Sequence, residues 1–282
     1  MTASLAAPML KANGAEIPAI GLGTSRLLGA DCVRAVETAL SVGYRHIDTA
    51  VMYRNETEVG EALRGSGLRR DEIFVTTKVL PGDIGAGDLQ KSARASLGRL
   101  GLDDVNLLLI HWPNKAIPLK DSVAALCDAR KQGLARNIGV ANFPTAMLDA
   151  SVRLAAEHGE KLVANQCEYH PRLDQTKLLA ASRAHGVALV SYCPVGQGAF
   201  LSDGAIAAVA KRHGKTPAQV ILRWHMQQPG VAAIPRSAQR AHQIENIDVF
   251  DFDLSADEMK AVSSLASPNG RIIRPASEPD WD

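Results

Sequence analysis

Four residues in the first half of this 282-residue chain have the types needed for proton chemistry at a carbonyl. Asp48 and Tyr53 lie in "GYRHIDTAVMYRNE" (43–56), Lys78 closes "FVTTK", and His111 follows the apolar run "LLLI". A phenol titrates at about 10 and is a weak acid at neutrality. An ammonium within a few ångströms favours phenolate and lowers that value. Lys78 is the group that can do this for Tyr53, with Asp48 pairing the lysine. Imidazole at His111 can donate a hydrogen bond to a carbonyl oxygen as charge builds there. Such a set suits general acid catalysis of reduction. Hydride has to come from a cofactor, since no side chain supplies it. Each residue alone has a blander reading. Asp48 can cap a turn, Tyr53 can sit on a rim, Lys78 can be solvated, and His111 can be a satisfied core histidine. Four together are harder to dismiss, because burying such groups without a partner or task is costly.

Their placement follows from a repeated alternation of strand and helix. "MLKANGAEIP" reads as a hairpin, because Asn13-Gly14 suits a two-residue turn. Strands are then expected at "PAIGLG", "RHIDTA", "EIFVTTK", "VNLLLIHW", "ARNIGVANF", "LVANQCEY", "VALVSYCP" and "VAAIP". Helices fall between them, including "TPAQVILRWHMQQPG" with its Thr-Pro start, and a last one begins near Arg240. Short apolar strands separated by helices imply a parallel sheet covered on its outer face. Eight units in this length predict a closed (β/α)8 TIM barrel preceded by a short hairpin. The rival is an open doubly wound sheet, which usually carries G-x-G-x-x-G after its first strand. "GLGTSR" has Arg26 where the third glycine belongs, so that fingerprint fails. In a barrel the C-terminal strand ends share one mouth, and Asp48, Lys78 and His111 end three consecutive strands.

Composition narrows the classes. Apolar residues at 46% and charged residues at 22% are ordinary for a globular domain with a full core. A net charge of +1 without blocks of like charge gives no reason to expect nucleic acid or membrane as a partner. "MTASLAAPML" lacks a basic start and an unbroken apolar core, so no signal peptide is expected. "VNLLLIHW" is far too short to span a bilayer. Cys32, Cys127, Cys167 and Cys193 are scattered, which argues against disulfides and for a reducing cytoplasm. The eight histidines show no H-E-x-x-H or His–carboxylate pairing, so no metal site is expected. No linker-like stretch divides the chain, and one domain over residues 1–282 is expected.

"GYRHIDTAxxYxNE", "TTK" and "LIHWP" stand in the order and spacing of the aldo-keto reductases, which the chain resembles from about residue 8 onward. Within that family, the segment "NKAIPL" and the ending "PDWD" look most like bacterial 2,5-diketo-D-gluconate reductases. The resemblance implies a catalytic tetrad of Asp48, Tyr53, Lys78 and His111, with Tyr53 as proton donor, and NADPH across the barrel mouth. Gly23, Thr24 and Asp48 are implied cofactor contacts. Asn142 of "GVANF" and Gln166 of "NQCEYHP" are implied to hold the nicotinamide carboxamide, with Ala141 in place of the family serine. Tyr192 of "SYCPVG" would stack on the nicotinamide, and Cys193, Val195 and Gly196 would line the pyrophosphate.

In "IPRSAQRAHQIEN", Ser237, Glu245 and Asn246 match the pattern that grips the adenosine 2'-phosphate. Arg236 replaces the usual lysine and His242 the usual arginine, with Arg240 a candidate to compensate. NADPH is therefore expected as the preferred donor, with weaker discrimination against NADH. Ser25 and Leu80 stand where relatives often carry aromatics. With His111 and Trp112 they suggest an open pocket for keto-sugars or small α-dicarbonyls. The partner expected is a small carbonyl substrate, met by a monomer. A non-catalytic NADPH-binding regulatory subunit, as in potassium-channel β-subunits, is the alternative reading. The short-chain dehydrogenases need Y-x-x-x-K, and none of Tyr44, Tyr53, Tyr169 or Tyr192 has lysine four residues on.

Overall fold

Asn13 and Gly14 both take left-handed backbone, with φ of 45° and 92°, as a tight hairpin turn requires. They join β1 (Met9–Ala12) to β2 (Ala15–Pro18) in an antiparallel pair. The Asn13 amide donates to the carbonyls of Leu162 (2.7 Å) and His185 (2.9 Å). Ala12, Ala15 and Ile17 pack with Leu107, Leu109, Ala164 and Val190. The hairpin thus plugs the floor of the barrel. This computed structural model describes residues 7–282, so the leader reading of "MTASLAAPML" falls mostly outside the described residues.

Eight parallel strands follow in chain order: β3 (Leu22–Gly23), β4 (His46–Asp48), β5 (Phe74–Val79), β6 (Val105–Ile110), β7 (Ala135–Ala141), β8 (Leu162–Glu168), β9 (Ala188–Tyr192) and β10 (Val231–Ala233). The ring closes where Ile20 bridges Ala233. There Gly21 N–H donates to the Ala233 carbonyl at 2.9 Å and Ala233 N–H to the Ala19 carbonyl at 2.8 Å. The expected (β/α)8 barrel with its hairpin is what the chain forms.

The covering helices are α1 (Gly29–Val42), α2 (Glu56–Gly65), α3 (Asp88–Leu100), α4 (Leu119–Lys131), α5 (Thr145–Glu157), α6 (Thr176–Ala184), α7 (Gly204–His213), α8 (Pro217–Met226), α9 (Arg240–Ile247) and α10 (Ala256–Ser263). Their buried faces meet the outward faces of the strands in one continuous core. Thr216 starts α8 as read from sequence, its hydroxyl accepting from Gln219 N–H at 3.3 Å. Two helices go beyond the one-per-strand expectation. Helix α7 is short and alanine-rich, with only Ile206 and Val209 as large buried side chains, so its apolar stripe is faint. Helix α10 opens with a capping box of Ser255 and Glu258. Among the described residues no helix is long and apolar enough to cross a membrane.

Glu258 also ties α10 to α7. It accepts from Arg212 Nε (2.9 Å), faces His213 Nε2 (3.0 Å) and accepts from Ser255 N–H (2.9 Å). Burial alone would push its carboxyl up, but the hydrogen bonds from His213, the Ser255 backbone and Arg212 reverse this and hold it at about 2. A carboxyl depressed on folding adds stability above its unfolded value and loses it as pH falls toward the folded one. Glu258→Gln is expected to cost on the order of 2 kcal/mol at pH 7, with the gap from wild type closing between about pH 4.5 and 2. Urea titrations across that range measure it, and a pH-independent gap would refute the assignment.

Candidate active site

Residues 43–56 hold both a tight turn and two of the four side chains that converge. Strand β4 ends at Asp48, and a 3-10 turn over Val51–Tyr53 closes on Arg54 with φ of 56°, which returns Tyr53 toward the strand ends. Asn55, fully buried, fixes this turn. Its Nδ2 donates to the carbonyls of Thr24 (2.8 Å) and Leu27 (2.9 Å), and its Oδ1 accepts from the Thr49 hydroxyl (2.7 Å). Next to it, Glu56 accepts from the Thr77 hydroxyl at 2.5 Å and from Arg99 Nε at 2.8 Å. The loop after β4 is thereby locked to β5 and α3.

The tetrad converges. Lys78 Nζ, fully buried, donates to Asp48 Oδ1 (2.5 Å), to the Thr49 carbonyl (2.8 Å) and toward the Tyr53 hydroxyl (3.4 Å). The Tyr53 and His111 rings meet edge to face at 5.5 Å. Asp48 Oδ2 accepts from Gln166 Nε2 at 2.7 Å. Burying Lys78 works against its charge, but Asp48 and Tyr53 outweigh this and the ammonium is held above its ordinary value. His111 is pushed well below the usual imidazole value, by burial first and Lys78 second, so the ring is neutral. Its Nδ1 is buried without a partner among the described residues.

One expectation is corrected. Lys78 does pull the Tyr53 phenol down, but burial is the larger influence and the phenol lies above its ordinary value. Desolvation penalises the phenolate more than the neighbouring ammonium supports it. Tyr53 is therefore a protonated group at neutral pH.

A cavity of about 270 Å³ opens over the tetrad. Asp48, Tyr53, His111, Trp112, Asn142, Gln166 and Tyr192 line it, as do Gly23, Ser25, Cys193, Val195 and Arg236. Asn142, at φ 64°, donates from Nδ2 to the His111 carbonyl (2.9 Å) and accepts from the Tyr192 hydroxyl (2.8 Å). Other expected residues stand outside this lining. Thr24 is buried behind it, its hydroxyl on the Asp48 carbonyl at 2.9 Å. Leu80 precedes the turn at Pro81–Asp83, away from the cavity lining. Gly196 is buried next to Phe200. Ser237 closes a turn just before α9 by accepting from Gln239 N–H at 3.1 Å. On α9, His242 is exposed, Glu245 half-buried and Asn246 buried, while Arg240 reaches Ser41 on α1 at 3.3 Å.

Arg26, Met52, Pro194, Gln197, Ile234 and Ile273 complete the lining without having been read from sequence. Arg26 was visible only as the residue that broke a glycine pattern. Ile273 comes from the far C-terminal segment and carries no motif. A larger cavity, about 610 Å³, lies between that segment and the start of α6, but no catalytic set converges there. Among the described residues no cluster of His, Cys, Asp or Glu could hold a metal.

Comparison with known proteins agrees with this geometry. Residues 19–267 match the model of the Aldo/keto reductase family. The chain is 39% identical over 269 residues to methylglyoxal reductase DkgB of Escherichia coli O157:H7, covering 94% of this chain and 99% of that protein. It superposes with a TM-score of 0.95 on a crystal structure provisionally assigned as 2,5-diketo-D-gluconic acid reductase B, at 42% identity and over 100% of both chains. A Bombyx mori aldo-keto reductase in complex with NADP gives a TM-score of 0.87 at 31% identity, over 96% of each chain. With its barrel, its tetrad and these relatives, the chain belongs to the aldo/keto reductase family.

Proposed function

We propose that the protein reduces the carbonyl of small polar aldehydes and ketones with NADPH, with α-dicarbonyls and keto-sugars such as 2,5-diketo-D-gluconate as the substrate class. The observation that carries this reading is the chain Asp48–Lys78–Tyr53, its ion pair buried and its phenol half-buried, beside neutral His111 and open to one cavity. A bound reduced nicotinamide supplies hydride. Tyr53 holds the proton for the carbonyl oxygen. A phenol above its ordinary value still protonates an alkoxide readily, so the upward shift keeps the acid loaded without disabling it. His111 donates a hydrogen bond to the same oxygen. Lys78, held charged by Asp48, stabilises the negative charge left on Tyr53 after transfer.

The cavity suits a nicotinamide. The Tyr192 ring lies half-exposed on it, its hydroxyl fixed to Asn142, and presents a flat face. Gln166 commits Nε2 to Asp48, which leaves Oε1 to accept from a carboxamide. A Cβ at Gly23 would fall 2.8 Å from the Ile234 carbonyl, so the backbone there runs bare along the cavity. Arg236, exposed on the lining together with Arg26, is a cation available to the expected phosphates. Ser25 on the wall supports a polar substrate, as do the relatives named for methylglyoxal and diketogluconate reduction. We read the whole chain as one barrel domain acting as a monomer in a reducing compartment, consistent with its four free thiols.

NADPH oxidation followed over a panel of small aldehydes, α-dicarbonyls and keto-sugars tests this. Absence of turnover on every member, with the protein purifying in a stable complex, would favour the regulatory reading instead. NADPH is expected to exceed NADH in kcat/KM by about tenfold, and His242→Arg to widen the ratio by about tenfold again through a charge-assisted phosphate contact. A clear NADH preference would refute the cofactor assignment.

A further inference from the structure

Glu168 ends β8 fully buried and takes no part in the proton chemistry of the tetrad. Its Oε1 accepts from Ile272 N–H at 2.6 Å and its Oε2 from Ile273 N–H at 2.8 Å, with His170 Nε2 2.9 Å from Oε1. Backbone donors on an ionised carboxylate make bonds about twice as strong as neutral ones. The same segment is fastened further back. Ser267 bridges Leu173 and donates from N–H to the Arg172 carbonyl at 3.1 Å. Gly270 passes so close that a Cβ would fall 1.7 Å from that carbonyl oxygen. Glycine is required there for space.

What this fastening positions lies at the active site. Ile273 lines the catalytic cavity. Trp281 meets Trp112, another lining residue, edge to face at 6.3 Å, and the Arg271 guanidinium stacks on Trp281 at 3.5 Å. At the far end Asp282 Oδ2 accepts from the N–H (3.0 Å) and hydroxyl (2.6 Å) of Thr145 at the start of α5. Residues 267–282 therefore form a strap held against the loops that follow β8 and β7, with Trp281 beside Trp112 after β6, along one side of the mouth.

We propose that Glu168 is a positioning residue for substrate selection: it clamps the strap so that Ile273, and Trp281 through Trp112, stand as a wall of the carbonyl pocket. This rests on the reductase reading above, and Glu168 acts only through the residues it holds. Glu168→Gln keeps the shape but turns an amide donor toward one of the two backbone N–H groups. Gly270→Ala loosens the strap by a different route, and Ile273→Ala removes the wall while leaving the clamp.

Hydrogen exchange read by mass spectrometry gives the first readout. In Glu168→Gln and Gly270→Ala, exchange over 267–282 is expected to rise by about tenfold or more while β8 and β9 stay as in wild type. Steady-state kinetics gives the second. KM for the best carbonyl substrate is expected to rise about tenfold in all three variants, with kcat within about threefold and NADPH affinity unchanged. Ile273→Ala should reproduce the KM change without the exchange change. Unaltered exchange in both loosening variants overturns the clamp. Faster exchange with unaltered KM overturns the role in selection. No turnover by the unsubstituted protein overturns the reductase reading alone, and exchange still decides the clamp.

Discussion

Tyr53→Phe is expected to lower kcat by about 10²- to 10⁴-fold, the range that a positioned general acid contributes. The substitution removes one oxygen atom. The ring still meets His111 edge to face, and Lys78 keeps Asp48 and the Thr49 carbonyl as partners. NADPH affinity, measured by quenching of tryptophan fluorescence, should therefore change by less than about twofold, because only transition-state stabilisation is lost. The pH profile gives an independent check. An acid must be protonated to act, so activity should fall only as Tyr53 deprotonates. Burial holds that group above the ordinary phenol value, which places the falling limb on the alkaline side. A variant that kept most of its kcat would remove Tyr53 from the mechanism, whereas a limb assigned to Tyr53 near neutrality would overturn the upward shift.

Lys78→Met is expected to act on stability as well as rate. It takes the ammonium from a pair whose side chains are 0% and 1% exposed, and leaves Asp48 with Gln166 as its remaining side-chain donor. An uncompensated buried charge of this kind costs about 3–5 kcal/mol. Urea denaturation should show that loss. Adding Asp48→Asn should recover much of it, since a pair removed whole costs far less than a pair broken. Turnover should stay low in both, because no cation then supports Tyr53. If the single variant is as stable as its parent, the pair is not an ionised one.

The barrel and the tetrad were legible for a shared reason. Asp48, Lys78 and His111 each end a short apolar strand, and in a parallel barrel those ends share one mouth. The resemblance then implied roles, and of the residues it named the cavity lining includes Tyr192, Cys193 and Arg236 and leaves out Leu80. Other features depend on tertiary distance, which spacing along the chain does not carry. Ile273 reaches the cavity from 162 positions beyond His111 (273 − 111), brought there by backbone donors on Glu168 that no motif announces. The direction of the Tyr53 shift is of the same kind. The ammonium was visible in the sequence, but the burial that outweighs it was not. Helix α7 was missed because alanines mark a buried stripe weakly.

Asp48 serves two masters at once, one oxygen on the ammonium and the other on the Gln166 amide. With Nε2 held there, the free Oε1 can face in one direction only, so an amide that docks on it would be set in register with the ammonium that the same carboxylate holds. Loss of Asp48 would then loosen guest and cation together.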